Sequence, residues 1–269
     1  MKRTLRFAVA ALGVTALVAG CSGSNTETPS STETTASTSD EASGPTGEIT
    51  VFAAASLKAT FIELGTQLEA ANPGTKVNFN FAGSSDLVTQ LTQGAPADVF
   101  ASADEKNMTK AVDGGVVAGD PVNFATNTLT IVTPPGNPKG IASFADLAKP
   151  DTTVVVCAPQ VPCGSATKKI EQEAGVTLSP VSEESAVTDV LGKITSGQAD
   201  AGLVYVTDAK GAGDSVTEVP FPESSGAVNT YPIAILGEAG NPTTAQAFVD
   251  FVTGPDGQKV LSEAGFAAP

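Results

Sequence analysis

Short apolar runs alternate with helical segments over residues 48–205, and this alternation constrains the fold more than any other feature. A predicted strand, Glu48–Ala54, precedes the predicted helix Leu57–Ala71, and a second strand, Lys76–Phe81, precedes the helix Ser85–Gln93. Strands separated by helices pair in parallel, because a parallel connection needs a crossover that covers one face of the sheet. The sequence therefore predicts an α/β fold. Such sheets bind ligands beyond the carboxyl ends of their strands.

A second unit of the same kind begins with a predicted strand at Asn127–Thr133, and the chain returns to the first unit near its end. The later predicted elements of the second unit include the helices Ser165–Ala174 and Ala186–Ser196 and the strand Ala201–Tyr205. The returning strand, Tyr231–Leu236, contains Pro232, and we expect it at an edge or a crossover because proline cannot donate a ladder hydrogen bond. Two units predict a two-lobed architecture, in which each lobe is a mostly parallel sheet flanked by helices and a small ligand lies between them. The predicted lobes are residues 48–126 plus 231–269 for the first, and residues 127–230 for the second.

The N-terminus has the pattern of a targeting segment. Three cations within the first six residues precede the apolar run Phe7–Val18, which is too short for a comfortable membrane span. Small residues then lead directly into Cys21, and this pattern resembles the lipobox of bacterial lipoproteins. The resemblance implies that residues 1–20 are a signal peptide and that lipidated Cys21 anchors an extracytoplasmic protein to the bacterial cell membrane. The alternative is an ordinary secretory signal followed by a free cysteine.

Residues 21–47 have the composition of a tether. Ser, Thr, Glu, Pro and Gly dominate them, and they contain no aromatic or large aliphatic residue. Such a segment cannot bury enough apolar surface to fold, so we expect a disordered tether between the anchor and the folded part. No later stretch is apolar enough to span a bilayer, and we expect membrane contact through the lipid anchor only.

The other two cysteines, Cys157 and Cys163, lie close together in the sequence. In an exported protein an isolated pair of this kind predicts a disulfide. A metal site is not expected, because the chain has no histidine and two thiolates alone make a poor zinc site.

The charge of the chain limits its partners. Removal of the three signal-peptide cations changes the formal net charge from −15 to −18. This balance argues against nucleic acid or an anionic lipid surface as a partner. It also means that a bound anion would be repelled at long range, so that binding must come from short-range oriented dipoles.

Two serines stand where such dipoles are available. Ser56 and Ser84 each follow a predicted strand and precede a predicted helix. The first amides of a helix have no intrahelical partner, and the helix dipole is positive there, so a strand-to-helix junction can bind an anion. Two such junctions suggest a small oxyanion held between hydroxyls and backbone amides.

Seven short motifs follow one another along the chain: Val51-Phe-Ala-Ala-Ala-Ser-Leu57, Phe81-Ala-Gly-Ser-Ser-Asp86, Gly94-Ala-Pro-Ala-Asp98, Val161-Pro-Cys-Gly164, Leu203-Val-Tyr205, Tyr231-Pro-Ile-Ala234 and Gly265-Phe266. Any one of them is weak. Their joint order and spacing resemble the molybdate-binding proteins of bacterial ABC importers over essentially all of Glu48–Phe266. The resemblance implies a class II periplasmic-binding-protein-like fold and a monomeric receptor that catalyses nothing and needs no cofactor. It also implies that molybdate, or tungstate, is delivered to an ABC permease with a cytoplasmic ATPase.

In that family two serines, a tyrosine and backbone amides from two segments of the second lobe hold the oxyanion. Matched motif by motif, the resemblance places these groups on Ser56, Ser84, Cys163, Val187 and Tyr205. The metal is then bound as its oxyanion, without direct side-chain coordination. Cys163 and Val187 would act through their backbone N–H groups.

Each position also has an ordinary structural interpretation. Ser56 and Ser84 could be N-caps, and Val187 could only pack at a helix start. Tyr205 could be a packing residue whose hydroxyl contacts solvent, and Cys163 could form the disulfide without contacting a ligand.

The nearby charged residues are expected to be structural. Asp98 and Asp104 are interpreted as cap or turn residues, because a carboxylate would repel a dianion. Lys58 is expected on a solvated helix face. The predicted site would then contain hydrogen-bond donors only, which suits a fully deprotonated dianion. Phosphate keeps a proton at neutral pH, so a site for phosphate would need a hydrogen-bond acceptor.

Three other classes of function compete with this interpretation. A sulfate receptor would use the same fold and is hard to exclude, whereas iron sites favour neighbouring tyrosines, which this chain lacks. A Ser-His-Asp or Cys-His hydrolase is impossible without histidine. A Ser–Lys pair such as Ser56 with Lys58 stays formally open, but residues two apart on a helix do not face each other. A surface lipoprotein with no role in transport is compatible with the tether alone.

Overall fold

The computed structural model describes residues 44–269. The predicted signal peptide, the lipidation site Cys21 and nearly all of the predicted tether lie outside the described residues. The folded part begins slightly before the predicted residue 48: the carbonyl of Pro45 accepts a hydrogen bond from Thr75, and that of Thr46 accepts from Thr244. Among the described residues, no helix combines the length and apolarity needed to cross a bilayer.

The described residues form ten strands and eight α-helices. The strands are β1 (Gly47–Ala54), β2 (Thr75–Ala82), β3 (Val99–Ala101), β4 (Val117–Asn127), β5 (Leu129–Thr133), β6 (Val154–Cys157), β7 (Ser182–Glu184), β8 (Ala201–Tyr205), β9 (Thr217–Val219) and β10 (Asn229–Leu236). The helices are α1 (Lys58–Ala71), α2 (Ser84–Thr92), α3 (Glu105–Asp113), α4 (Pro162–Ala174), α5 (Val187–Thr195), α6 (Val206–Ala212), α7 (Pro242–Thr253) and α8 (Pro255–Ala264). Four 3-10 turns lie at Ala55–Leu57, Phe144–Ala148, Gly213–Ser215 and Pro222–Gly226.

The strands form two five-stranded sheets. The first has the order β2-β1-β3-β10-β4; β1 pairs in parallel with β2 and β3, and β10 runs antiparallel to both its neighbours. The second has the order β7-β6-β8-β5-β9, with β6 parallel to β7 and β8, and β5 antiparallel to both its neighbours. Each sheet is therefore mixed, with a parallel part of three strands, and the predicted α/β class is confirmed.

One segment that was predicted as a single strand belongs to two different strands. The run Asn127–Thr133, predicted as one long strand, divides where β4 ends and β5 begins, and these strands belong to different sheets. Most of β4 was not predicted as a strand, because its first half is exposed and contains Gly119 and Pro121, which favour turns. The chain therefore passes from the first sheet to the second within a few residues.

The strand that contains Pro232 is central, so of the two predicted positions, an edge or a crossover, the edge is wrong. β10 lies between β3 and β4. The ladder tolerates the proline because it is already interrupted there: the register against β4 shifts between Tyr231 and Pro232, and β3 ends one pair earlier, at Ala101. The Pro232 carbonyl still accepts a hydrogen bond from Ser102 N, at 2.9 Å.

The sequence places Phe61, Leu64 and Leu68 on one face of the predicted helix Leu57–Ala71, and the structure confirms this apolar face of α1. Phe61, Leu64 and Leu68 are buried beneath the first sheet. The Phe61 ring lies 5.6 Å from that of Phe248 and 5.8 Å from that of Phe124, so α1, α7 and β4 share one aromatic cluster. Burial of each such side chain contributes on the order of 2 kcal/mol, which holds α1 firmly on the sheet and fixes the junction at its N-terminus.

Candidate anion-binding site

A small cleft lies where the carboxyl ends of β1, β2 and β8 meet the N-terminal ends of several helices. Its empty volume is about 190 Å³ when the open mouth is included. The cleft is lined by Ala54, Ala55, Ser56, Gly83, Ser84, Ala103, Val161, Pro162, Cys163, Val187 and Tyr205. The structure thus brings together all five residues that the motifs singled out, from both sheets.

Three helices that start at this cleft lack a side-chain cap. α2, α4 and α5 have Gly83, Val161 and Ala186 at their N-caps, and none of these side chains accepts a hydrogen bond from the helix. An N-cap serine, threonine, asparagine or aspartate normally satisfies one of the free first-turn amides. Here those amides are left available at one small space, where the three positive dipole ends also add.

The Ser84 hydroxyl is held so that its proton is free. Ser84 is the first residue of α2 and is only 1% exposed. Its Oγ accepts a hydrogen bond from the Ala103 amide at 3.0 Å. A hydroxyl that already accepts keeps its own O–H to donate. Ser84 does not cap α2, so its predicted alternative role as an N-cap is wrong, because the helix starts at this residue rather than after it.

The Ser56 hydroxyl has a tyrosine partner that the sequence did not single out as a site residue. Ser56 lies in the 3-10 turn before α1, and its Oγ is 3.0 Å from Oη of Tyr231. Burial, above all, raises the pKa of Tyr231 well above its usual range, so this phenol stays protonated and able to donate. When Tyr231 donates, the Ser56 proton is left for another acceptor. The only signal was the Tyr231-Pro-Ile-Ala234 motif.

The Tyr205 hydroxyl is buried and unpaired. Tyr205 ends β8 and is 1% exposed, and its Oη makes no hydrogen bond among the described residues, although the Tyr231 hydroxyl lies close by. Burial, above all, and the nearby Tyr231 hydroxyl raise its pKa well above the usual value, so the group remains a neutral donor at physiological pH. A buried polar group without a partner costs about 1–3 kcal/mol, so this hydroxyl needs a function or a missing partner to account for it.

Cys163 lies in the first turn of α4, because that helix begins at Pro162 rather than at the predicted Ser165. Proline suits the first helical position, where its missing N–H costs nothing. Cys157 and Cys163 form a disulfide that ties the end of β6 to the start of α4. The residue therefore lines the cleft and carries the disulfide at once. Val187 likewise begins α5, with its side chain buried in the core and its amide among the free ones.

The carboxylates near the cleft have structural partners, as expected. Asp104 caps α3 by accepting from Asn107 N at 2.8 Å, and Asp98 accepts from Thr50 N and Asn241 N. Asp208 accepts from the Tyr205 amide at 3.1 Å, and burial raises its pKa to about 7. Lys58 is exposed on α1, as predicted.

No carboxylate and no cation lines the cleft. Its polar groups are two serine hydroxyls, one phenol and backbone amides, which can all donate. The described residues also contain no cluster of three or more His, Cys, Asp or Glu side chains suited to a metal ion. Chemically, the arrangement can bind a small anion that only accepts hydrogen bonds, and it offers no general base or nucleophile–base pair.

Comparison with known proteins gives a consistent result. The family model for bacterial extracellular solute-binding proteins matches residues 49–267. The molybdate-binding protein ModA of Mycobacterium tuberculosis is 57% identical over 229 residues, covering 84% of this chain and 88% of that protein. ModA of Escherichia coli is 33% identical over 230 residues, covering 82% and 89%. The solved Azotobacter vinelandii periplasmic molybdate-binding protein has a TM-score of 0.72 at 22% identity, covering 82% of this chain and 99% of that one, which shows a shared fold.

Proposed function

Since this chain belongs to the bacterial extracellular solute-binding proteins, we propose that its donor-lined cleft binds molybdate, and also tungstate, for an ABC importer. The resemblance inferred from the motifs is confirmed by the two ModA relatives, and so is the prediction that the chain is not an enzyme, because its relatives are solute-binding proteins.

The observation that carries the proposal is the unpaired Tyr205 hydroxyl beside three uncapped helices. These groups are all donors, and they converge on one small cleft. A tetrahedral dianion supplies four acceptor oxygens and no donor. We propose that Ser56, Ser84 and Tyr205 donate through their hydroxyls, and Cys163 and Val187 through their amides.

The same donor set explains selectivity. Phosphate carries a proton at neutral pH and would leave that proton without an acceptor in this cleft. Molybdate and tungstate are nearly isosteric, so we expect the cleft to take both. Sulfate is smaller with the same charge, and the discrimination against it must come from the spacing of the donors.

Two lobes are proposed to close on the ligand. The first would comprise residues 48–126 plus 231–269 and the second residues 127–230, a division supported by the membership of the two sheets. Ser56 and Ser84 would then belong to one lobe, and the other ligand residues to the second. Closure of such lobes by hinge motion is common in binding proteins.

The protein is proposed to act as a monomer at the outer face of the cell membrane, where lipidated Cys21 anchors it and an ABC permease with a cytoplasmic ATPase receives the anion. Support for the anchor is the lipobox-like sequence before Cys21. Metabolic labelling with a fatty acid is expected to mark the wild type but not the Cys21→Ser variant. Equal labelling of both proteins would contradict the anchor.

The ligand is tested by thermal melts of the protein with molybdate, tungstate, sulfate, phosphate or ferric citrate. At one hundred times its dissociation constant a ligand adds about 2.7 kcal/mol, which is roughly 5–10 °C for a chain of this size. Shifts with molybdate and tungstate alone are expected. A shift with sulfate alone would keep the receptor and change its substrate, and no shift with any oxyanion would refute the proposal.

A further inference from the structure

The backbone of Gly83 lies directly against the backbone of Ser185, next to the start of α5 in the opposite wall of the cleft. It lies between β2 and α2, immediately before Ser84. A Cβ atom built on Gly83 would stand 2.0 Å from the carbonyl oxygen of Ser185, although real Cβ contacts essentially never fall below 3.0 Å. Ser185 immediately precedes Ala186 and Val187, the N-cap and first residue of α5.

The contact joins two segments that carry ligand groups on different sheets. Ser84 follows the end of β2 in the first sheet, whereas Val187 follows β7 in the second. The obstacle that a side chain would meet is a backbone carbonyl, so no rotamer change could remove it. The backbone of Gly83 has φ −61° and ψ 140°, which any residue can adopt, so its conformation does not require glycine. What requires glycine is the approach of the other segment.

We propose that Gly83 is a positioning residue that sets the closest approach of the two walls, and thereby the spacing of donors around the anion. This inference rests on the proposed function. A methyl group at residue 83 must move Ser185 away by about 1 Å, the difference between 2.0 Å and 3.0 Å. A donor–acceptor distance of about 2.9 Å would then become about 3.9 Å, beyond hydrogen-bonding range, so the anion could no longer engage both walls at once.

The Gly83→Ala variant tests this, and Gly192→Ala is its matched control. Gly192 lies in α5, the helix that Val187 begins, and an added Cβ there meets no atom within 4 Å. Both variants add one methyl group, and both are compatible with the local backbone. In calorimetric titrations with molybdate we expect Gly83→Ala to bind at least about 10-fold more weakly, the loss of one charge-assisted hydrogen bond or more. Gly192→Ala should bind like the wild type.

Thermal melts with and without anion separate binding from folding. The 2.0 Å contact belongs to the folded protein itself, so Gly83→Ala should melt at or below the wild-type temperature when no anion is added, and its shift on addition of molybdate should be smaller than that of the wild type. A crystal structure of the variant should show the Ser84 and Val187 backbones about 1 Å further apart than in the wild type.

Two outcomes would overturn the inference. One is a Gly83→Ala protein that binds molybdate as tightly as the wild type. The other is a variant structure in which the two segments keep their wild-type separation. A wild type that binds no oxyanion would instead defeat the proposed function, and the structural comparison would still decide the steric claim about Gly83.

Discussion

Replacement of Tyr205 by phenylalanine should move affinity and stability in opposite directions. The Tyr205 hydroxyl lies at the cleft, is fully buried and has no partner among the described residues. Its only proposed interaction is with the bound anion. The substitution removes a single oxygen and leaves the ring in its edge-on contact with Tyr231, at a centroid distance of 5.9 Å.

The loss of affinity follows from the charge of the acceptor. A hydrogen bond to a charged group contributes about 1.5–3 kcal/mol. We therefore expect molybdate to bind about 10- to 150-fold more weakly in calorimetric titration. Without anion the variant should melt at the wild-type temperature or above it, because burial of an unpaired hydroxyl costs about 1–3 kcal/mol and the phenylalanine avoids that cost.

Tyr231→Phe is the matched control. Its hydroxyl already has a protein partner, Ser56 Oγ at 3.0 Å. The control should therefore lose about 0.5–1.5 kcal/mol of stability without anion, and it should affect binding only indirectly, through Ser56 and the neighbouring Tyr205 hydroxyl. The reasoning is refuted if Tyr205→Phe binds molybdate as the wild type does, or if it is the less stable of the two variants without anion.

Three further predictions follow from the same structure. Ser84→Ala should weaken molybdate binding by about 10- to 150-fold in calorimetric titration, and wild-type affinity would reject the assignment of this hydroxyl. Burial raises the pKa of Asp208 from 3.8 to about 7, so between these pH values the folded state binds more protons than the unfolded state, and stability should fall as pH rises from about 4 to 7. In thermal melts across this range the Asp208→Asn variant, which keeps an oxygen to accept from the Tyr205 amide, should show a smaller fall. A pH profile identical to that of the wild type would contradict the role of Asp208. Replacement of both Cys157 and Cys163 by serine should cost about 2 kcal/mol of stability, measured by chemical unfolding, and a variant as stable as the wild type under oxidising conditions would argue against the disulfide.

Local sequence predicted most of the elements near the site. The junctions at Ser56 and Ser84 were visible because an apolar run gives way to a helical pattern at each of them. The start of α5 at Val187 and the end of β8 at Tyr205 were placed to within a residue for the same reason. β4 was missed because its exposed first half, with a glycine and a proline, has no strand periodicity.

The partners of the site residues could not be predicted in this way. Ser56 meets Tyr231 across 175 residues of chain, and the Ala103 amide reaches Ser84 across 19. Such contacts depend on how the strands order themselves in the sheet, and no periodicity encodes them. The position of β10 is an example: Pro232 indicated an edge or a crossover, and the register shift beside it explains how a central strand accommodates the residue.

Several departures from the usual rules for helix caps and buried polar groups meet at the site. Elsewhere such departures are scattered: α8 also starts without a side-chain cap and Thr130 Oγ1 is also unpaired among the described residues, whereas α3 and α7 are capped by Asp104 and Asn241. At the cleft, by contrast, three helices start without a cap and a phenol is left unpaired. Each departure costs stability, and together they cost several kcal/mol by rough estimate. Since every one of them leaves a donor free at the same small space, one tetrahedral anion would satisfy all of them at once, and an acidic protein would need no cation to hold it.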